Sequence, residues 1–176
     1  MKTDHKEEIK KGEALFEKGD LDQAESVFRS ILQNYPDDCV SLNNIGVINN
    51  TKGNVVLAEE FFVKAISLSD GYLEAIINLA CLYQSAERWS EASIQLEKYL
   101  DIEGNNPDIF NQLGVIYLEM NEPARTCVVL EKSLLLNPDQ PAVRESLSAV
   151  KKSMYEHEAP APHTLLNILF VQNYPC

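Results

Sequence analysis

Apolar residues in this chain recur at helical spacing, and the spacing itself repeats. Counting from residue 5, positions 4, 7, 8 and 11 of each segment form one helical stripe. The stripe reads Leu42, Ile45, Gly46 and Asn49, then Ile76, Leu79, Ala80 and Tyr83, then Phe110, Leu113, Gly114 and Tyr117. A second stripe follows at spacings of four and three: Ala24, Phe28 and Ile31, then Ala58, Phe62 and Ala65. Between the stripes stand Gly19, Gly53, Glu87 and Asn121. Glycine and asparagine tolerate the left-handed conformation that ends a helix, so each segment reads as two helices with a sharp turn between them. Glu87 is the exception, and is expected to be strained or capped differently.

The landmarks keep one period. Gly12, Gly46, Ala80 and Gly114 are separated by 34 residues. So are Ala24, Ala58, Ala92 and Thr126, and Phe28, Phe62, Leu96 and Leu130. The repeats therefore fall at 5–38, 39–72, 73–106 and 107–140. Asp20 and Asn54 are expected N-caps. Pro123, Pro107 after Asn106 and Pro141 after Gln140 stand where a helix accepts proline in its first turn. Pro36 and Pro138 lie just past helix ends.

These repeats resemble tetratricopeptide repeats (TPR). The first carries Lys11-Gly12, Leu15, Ala24, Phe28 and Pro36 at the family's spacing, and the fourth carries Leu113-Gly114, Tyr117 and Asn137-Pro138. Asp70, Gly104 and Thr126 depart from the usual proline, proline and alanine. The resemblance implies an all-α fold: a right-handed α-solenoid of four TPR helical hairpins closed by a C-terminal capping helix. Residues 141–156 suit that cap, with Leu147, Val150 and Met154 toward the last repeat and Glu145, Lys151 and Lys152 toward water.

Residues 157–176 read as a linker, with Pro160 and Pro162 favouring extended backbone, and an apolar tail. Leu165 to Val171 is a β-prone run of the kind that is buried on both faces of a sheet. The stretch from Ile168 to Pro175 resembles the first strand and turn of a Rossmann-like glycosyltransferase domain. The expectations here are a truncated second domain, packing of the tail on its own solenoid, or self-association through residues 164–176.

Composition narrows the function. At 45% hydrophobic and 24% charged residues the chain is too apolar to be disordered. Its net charge of −12 makes nucleic acid and anionic membranes poor partners. No apolar run is long enough to span a bilayer, and the N-terminus lacks the apolar core of a secretory signal, so a cytoplasmic protein is expected. Cys39, Cys81, Cys127 and Cys176 are 42, 46 and 49 residues apart, match no metal-knuckle pattern, and are expected to be free thiols. His5, His157 and His163 do not pair at ligand spacing. With no P-loop, GxGxxG or GxSxG motif, neither catalysis nor a cofactor or metal is expected.

What remains is the other face of each first helix. In TPR proteins it lines a concave groove that holds peptides, and by that resemblance the groove residues here are Asn43, Asn44, Val47, Asn50, Ile77, Asn78, Cys81, Gln84, Asn111, Gln112, Val115 and Leu118. Asn44, Asn78 and Gln112 recur at 34-residue steps. A carboxamide both donates and accepts, so such a ladder can hold an extended peptide by its backbone; the alternative is that these amides cap or bridge adjacent helices. Glu74 and Asn78 stand where a carboxylate clamp for acidic tails would need cations. The expected function is a non-catalytic protein–protein interaction module binding an extended peptide or partner segment. The alternatives are a partner-recruiting domain of a larger enzyme, such as a glycosyltransferase continuing beyond Cys176, and a self-assembling scaffold.

Overall fold

The computed structural model describes residues 5–69 and 71–156. The apolar run Leu165 to Val171, Asp70, and the expectations attached to them lie outside these residues. Nine helices and no strand occur among the described residues. They are α1 (His5–Glu17), α2 (Leu21–Asn34), α3 (Cys39–Thr51), α4 (Val55–Leu68), α5 (Leu73–Ser85), α6 (Trp89–Glu103), α7 (Pro107–Glu119), α8 (Pro123–Leu136) and α9 (Pro141–Glu156). The chain forms two compact halves divided between Leu82 and Tyr83, so that α5 runs through the division.

The turns inside the hairpins follow one design. The second residue past the first helix sits at positive φ: Gly19 at 82°, Gly53 at 80°, Glu87 at 56° and Asn121 at 56°. Its N–H bonds back three residues, and the next N–H bonds back five. The pairs are Gly19 to Phe16 and Asp20 to Leu15, Gly53 to Asn50 and Asn54 to Asn49, Glu87 to Gln84 and Arg88 to Tyr83, and Asn121 to Leu118 and Glu122 to Tyr117, all at 2.8–3.0 Å. These bonds satisfy the orphan carbonyls of the helix end. Glu87 is thus strained, as its side chain implies.

Side-chain capping falls elsewhere than expected. Asp20 and Asn54 precede α2 and α4 without a side-chain cap bond. The tight turn leaves them at ψ near 60°, and the backbone turn itself sets the helix start. The loops between hairpins use side chains instead. Asp38 Oδ2 accepts from the Ser41 N–H at 2.8 Å, and Asn106 Oδ1 accepts from the Asp108 N–H at 2.9 Å. Gly104 closes α6 at φ 89° and ψ −162°, a region open to glycine alone.

The small position of each first helix exists for close approach. A Cβ on Gly12 would lie 2.6 Å from the Phe28 ring, on Gly46 2.6 Å from the Phe62 ring, and on Gly114 2.5 Å from Leu130 Cδ2. In the N-terminal half the core gathers Ala24, Phe28, Ile31, Ile45 and Ile48, with Ile9, Phe16 and Phe61 packed against it. In the C-terminal half Val115, Leu118, Cys127 and Leu130 share a core with Val143, Leu147 and Val150 of α9. Burying each such side chain stabilises by about 1.5–3 kcal/mol. Met154, expected in the cap stripe, is partly exposed but lies against the last repeat, its Sδ 3.9 Å from Cys127 Sγ, and Val143 joins the stripe at its start.

Candidate functional site: the amide faces of the first helices

The ladder residues are partly engaged within the protein. In the N-terminal half Asn78 Nδ2 donates to Asn43 Oδ1 at 2.9 Å, joining α5 to α3. Asn43 is buried, while Asn78 is half-buried. Asn44 Nδ2 donates to the Val40 carbonyl one turn back at 2.9 Å. Each carboxamide has two amide protons, so one bond leaves Asn44 and Asn78 a further proton and an oxygen. Val47 and Ile77 are half-buried, and Asn50 is exposed. Glu74, at the edge of this face, accepts from the Tyr72 hydroxyl at 2.8 Å. Burial and that bond push the Tyr72 hydroxyl above its ordinary pKa, so it stays protonated. Cys39 and Cys127 are free thiols. Cys81 is disulfide-bonded, which corrects the expectation of a free thiol there; cysteine spacing along a solenoid carries no information on pairing.

In the C-terminal half the predicted residues separate into two groups. Gln84 and Gln112 are half-buried, yet Gln84 Nε2 and Gln112 Oε1 are shut from water with no hydrogen-bond partner. Leaving such an atom unpaired costs about 1–3 kcal/mol. Asn111, Val115 and Leu118 are only 1%, 6% and 8% exposed. Val115 and Leu118 lie in the core shared with α9, and Asn111 Nδ2 donates to Gln140 Oε1 at 2.7 Å. The capping helix therefore covers the part of the face that a fourth repeat would otherwise present.

Gln140 is a buried structural amide that the repeat pattern passes over, because it lies at the very end of the last repeat. Its Nε2 donates to Ser133 Oγ at 3.0 Å and to the Asn137 carbonyl at 2.9 Å, so one side chain ties α7 and α8 to the start of α9. The sequence signal is a polar residue immediately before Pro141.

Residues 9–38 match the tetratricopeptide repeat family model. The chain is 28% identical over 137 residues to the type IV pilus assembly protein PilF of Pseudomonas aeruginosa, covering 77% of this chain and 54% of that protein. It is 24% identical over 148 residues to the BBSome complex member BBS4 homolog of Drosophila melanogaster, covering 84% of this chain and 30% of that protein. The chain thus spans about half or less of the curated relatives it matches. A crystal structure of a tetratricopeptide repeat protein from Parabacteroides merdae superposes with a TM-score of 0.76 at 19% identity, over 96% of this chain and 66% of that one. No helix among the described residues is long and apolar enough to cross a membrane. The four helical hairpins with their glycine contacts and left-handed turns, together with the matching solved fold, give this chain the tetratricopeptide-repeat solenoid fold, and residues 9–38 match the repeat's family model.

Proposed function

We propose that the chain is a non-catalytic, cytoplasmic module that holds an extended segment of a protein partner by its main chain. The TPR fold is a protein–protein interaction module, and the amide faces of the first helices supply the chemistry. The observation that carries this reading is a pair of half-buried carboxamides, Gln84 and Gln112, whose hydrogen-bonding groups the protein itself does not fully pair. A peptide backbone offers the complementary carbonyl and N–H. In the N-terminal half the same role falls to Asn44 and Asn78, with Val47, Asn50 and Ile77 adding contact. Asn43 and Asn111 are spent on internal bonds and serve as positioning residues, while Val115 and Leu118 belong to the capped core. The faces of α3, α5 and α7 carry no lysine or arginine, so acidic C-terminal tails are not the ligand.

The test is binding of an extended-peptide library to the full chain. Net amide–backbone bonds contribute about 0.5–1.5 kcal/mol apiece, so affinity near micromolar, about −8 kcal/mol, requires the apolar contacts as well. Asn44→Ala/Asn78→Ala and, separately, Gln112→Ala should each weaken binding roughly fivefold or more, with little salt dependence. Unchanged binding in both variants would overturn the reading, as would a steep salt dependence.

A further inference from the structure

The outer face of the C-terminal half holds a second feature, away from the amide faces. A cleft of about 370 Å³ opens between α6 and α8, with α7 as its floor. Its walls include Leu100, Phe110, Val128, Val129 and Lys132. That volume lies at the small end of ligand sites, about 300–1,000 Å³.

The N-terminal half carries a ring at the corresponding position. Helices α3 and α4 begin and end 68 residues, two repeats, before α7 and α8, and α2 begins 68 residues before α6. Val129 therefore corresponds to Phe61. Phe61 packs against the core of its own half, and the Arg29 guanidinium lies over its ring at 5.6 Å. In the C-terminal half the residue corresponding to Arg29 is Glu97. It bonds Arg125 at 2.7 Å and accepts from the Tyr117 hydroxyl, and these three side chains form the polar part of the cleft's lining. Val129, which lines the cleft, brings no ring to that position.

The charges say what kind of ring. Arg125 is committed: it pairs with Glu97 at 2.7 Å and Glu122 at 2.8 Å, and covers Tyr117 at 3.9 Å. Lys132 is not. Its Nζ lies 5.5 Å over the Phe110 ring, and no carboxylate among the described residues pairs with it. Beside it, at the cleft, Val128 is 51% exposed. A mainly apolar cleft whose one lining carboxylate, Glu97, is already bonded to Arg125, and whose Lys132 has no carboxylate partner among the described residues, favours a ligand that brings its own ring and its own carboxylate.

We infer that this cleft is a docking site for a partner polypeptide, taking one aromatic side chain beside Val129 and pairing a neighbouring carboxylate with Lys132. The inference does not depend on the amide faces, and its partner segment is distinct from one held there by its main chain.

The experiment is a nuclear magnetic resonance titration of the full chain with a short acidic peptide bearing one central phenylalanine. Two control peptides replace the phenylalanine by alanine or the carboxylates by amides. Resonances of Leu100, Val128 and Lys132 should shift with the phenylalanine peptide, and the alanine control should bind about tenfold or more weakly. Val129→Phe supplies the ring internally and should abolish binding while leaving the helical circular dichroism intact. Lys132→Glu, an exposed change that does not threaten folding, should weaken the acidic peptide about fivefold or more and leave the amide control unchanged. Asn44→Ala/Asn78→Ala should have no effect here, which separates this site from the amide faces. The inference is overturned if Val129→Phe and wild type bind alike, or if the peptide shifts only Asn44, Asn78 and Gln112. It is overturned equally if wild type proves dimeric and Val129→Phe monomeric, since the occupant is then a second copy.

Discussion

The helices α2, α3 and α4 in one half and α6, α7 and α8 in the other start two repeats apart to the residue, and differ in almost every feature outside the shared frame. Their turns carry Gly53 in one and Asn121 in the other at the same left-handed position. The glycine in the first helix meets a Phe62 ring in one and a Leu130 methyl in the other. Outward charge is spent differently too. Lys52 bonds Asp22 at 2.6 Å and Glu25 at 2.7 Å, whereas Arg125 joins Glu97 and covers Tyr117. The backbone period thus rests on few positions: a close-approach residue, an apolar stripe and a left-handed turn. The remaining positions are free to diverge, and it is there that the two halves acquire different surfaces.

The largest expected effect comes from the close approach. Gly46→Leu drives a side chain into the Phe62 ring, and Gly114→Leu drives one into Leu130; both should cost about 3 kcal/mol or more. The alanine variants sharpen the comparison. At Gly46 the obstacle is a rigid ring 2.6 Å away, while at Gly114 it is the end of a leucine, which can turn aside. Gly46→Ala should therefore lower the urea midpoint more than Gly114→Ala, by a difference of about 1 kcal/mol. Equal losses would mean that the two contacts are mechanically alike.

Next is the cap. Leu147→Ala removes part of the core that α9 shares with Val115 and Leu118, and should cost about 2–3 kcal/mol. Hydrogen exchange should show the loss in α7 to α9, with the amides of α1 to α4 unchanged. Uniform loss of protection along the chain would show that the halves unfold as one.

The helical frame was legible because each helix shows a single-sided stripe, and the turn and glycine positions recur at a fixed step. Even the strain at Glu87 could be read, since the period puts it where its neighbours are glycine or asparagine. Two things could not be read. Asp20 and Asn54 have capping side chains, but a five-residue backbone turn already sets the helix start, and sequence does not reveal that geometry. Asn111, Val115 and Leu118 occupy the same face positions as Asn43, Val47 and Asn50, and only the last of these is exposed. Whether a face is open depends on the helix that follows, and α9 lies outside the repeat that defined the face.

A smaller effect separates the charge networks. Burial alone would raise the Glu25 pKa, but Lys52 and Arg29 beside it hold the carboxyl below its ordinary value of 4.5. A depressed folded pKa means that the stabilisation is fully present above that ordinary value and is lost as pH falls through the lower folded value. Lys52→Ala should therefore cost about 0.5–1 kcal/mol at neutral pH, and the difference from wild type should shrink under acid. A constant difference from neutral pH into strong acid would show that Lys52 acts through its aliphatic stem.

The smallest effect lies in the turns, where the halves differ most cleanly. Nothing lies within 4 Å of a Cβ placed on Gly53, so any cost of Gly53→Ala is backbone strain alone. Glu87 already bears that strain at φ 56°. A left-handed residue costs about 1–2 kcal/mol, and glycine's greater unfolded-chain freedom gives back about 0.5–1 kcal/mol. Glu87→Gly should therefore stabilise the protein by about 0.5–1 kcal/mol, while Asn121→Gly should change little because asparagine tolerates the same φ. Gly53→Ala should lose about what Glu87→Gly gains. Thermal melts of the three variants check the sign in each case. If Glu87→Gly destabilises, the Glu87 side chain must be holding the turn through a contact worth more than its strain, and the four turns are not equivalent.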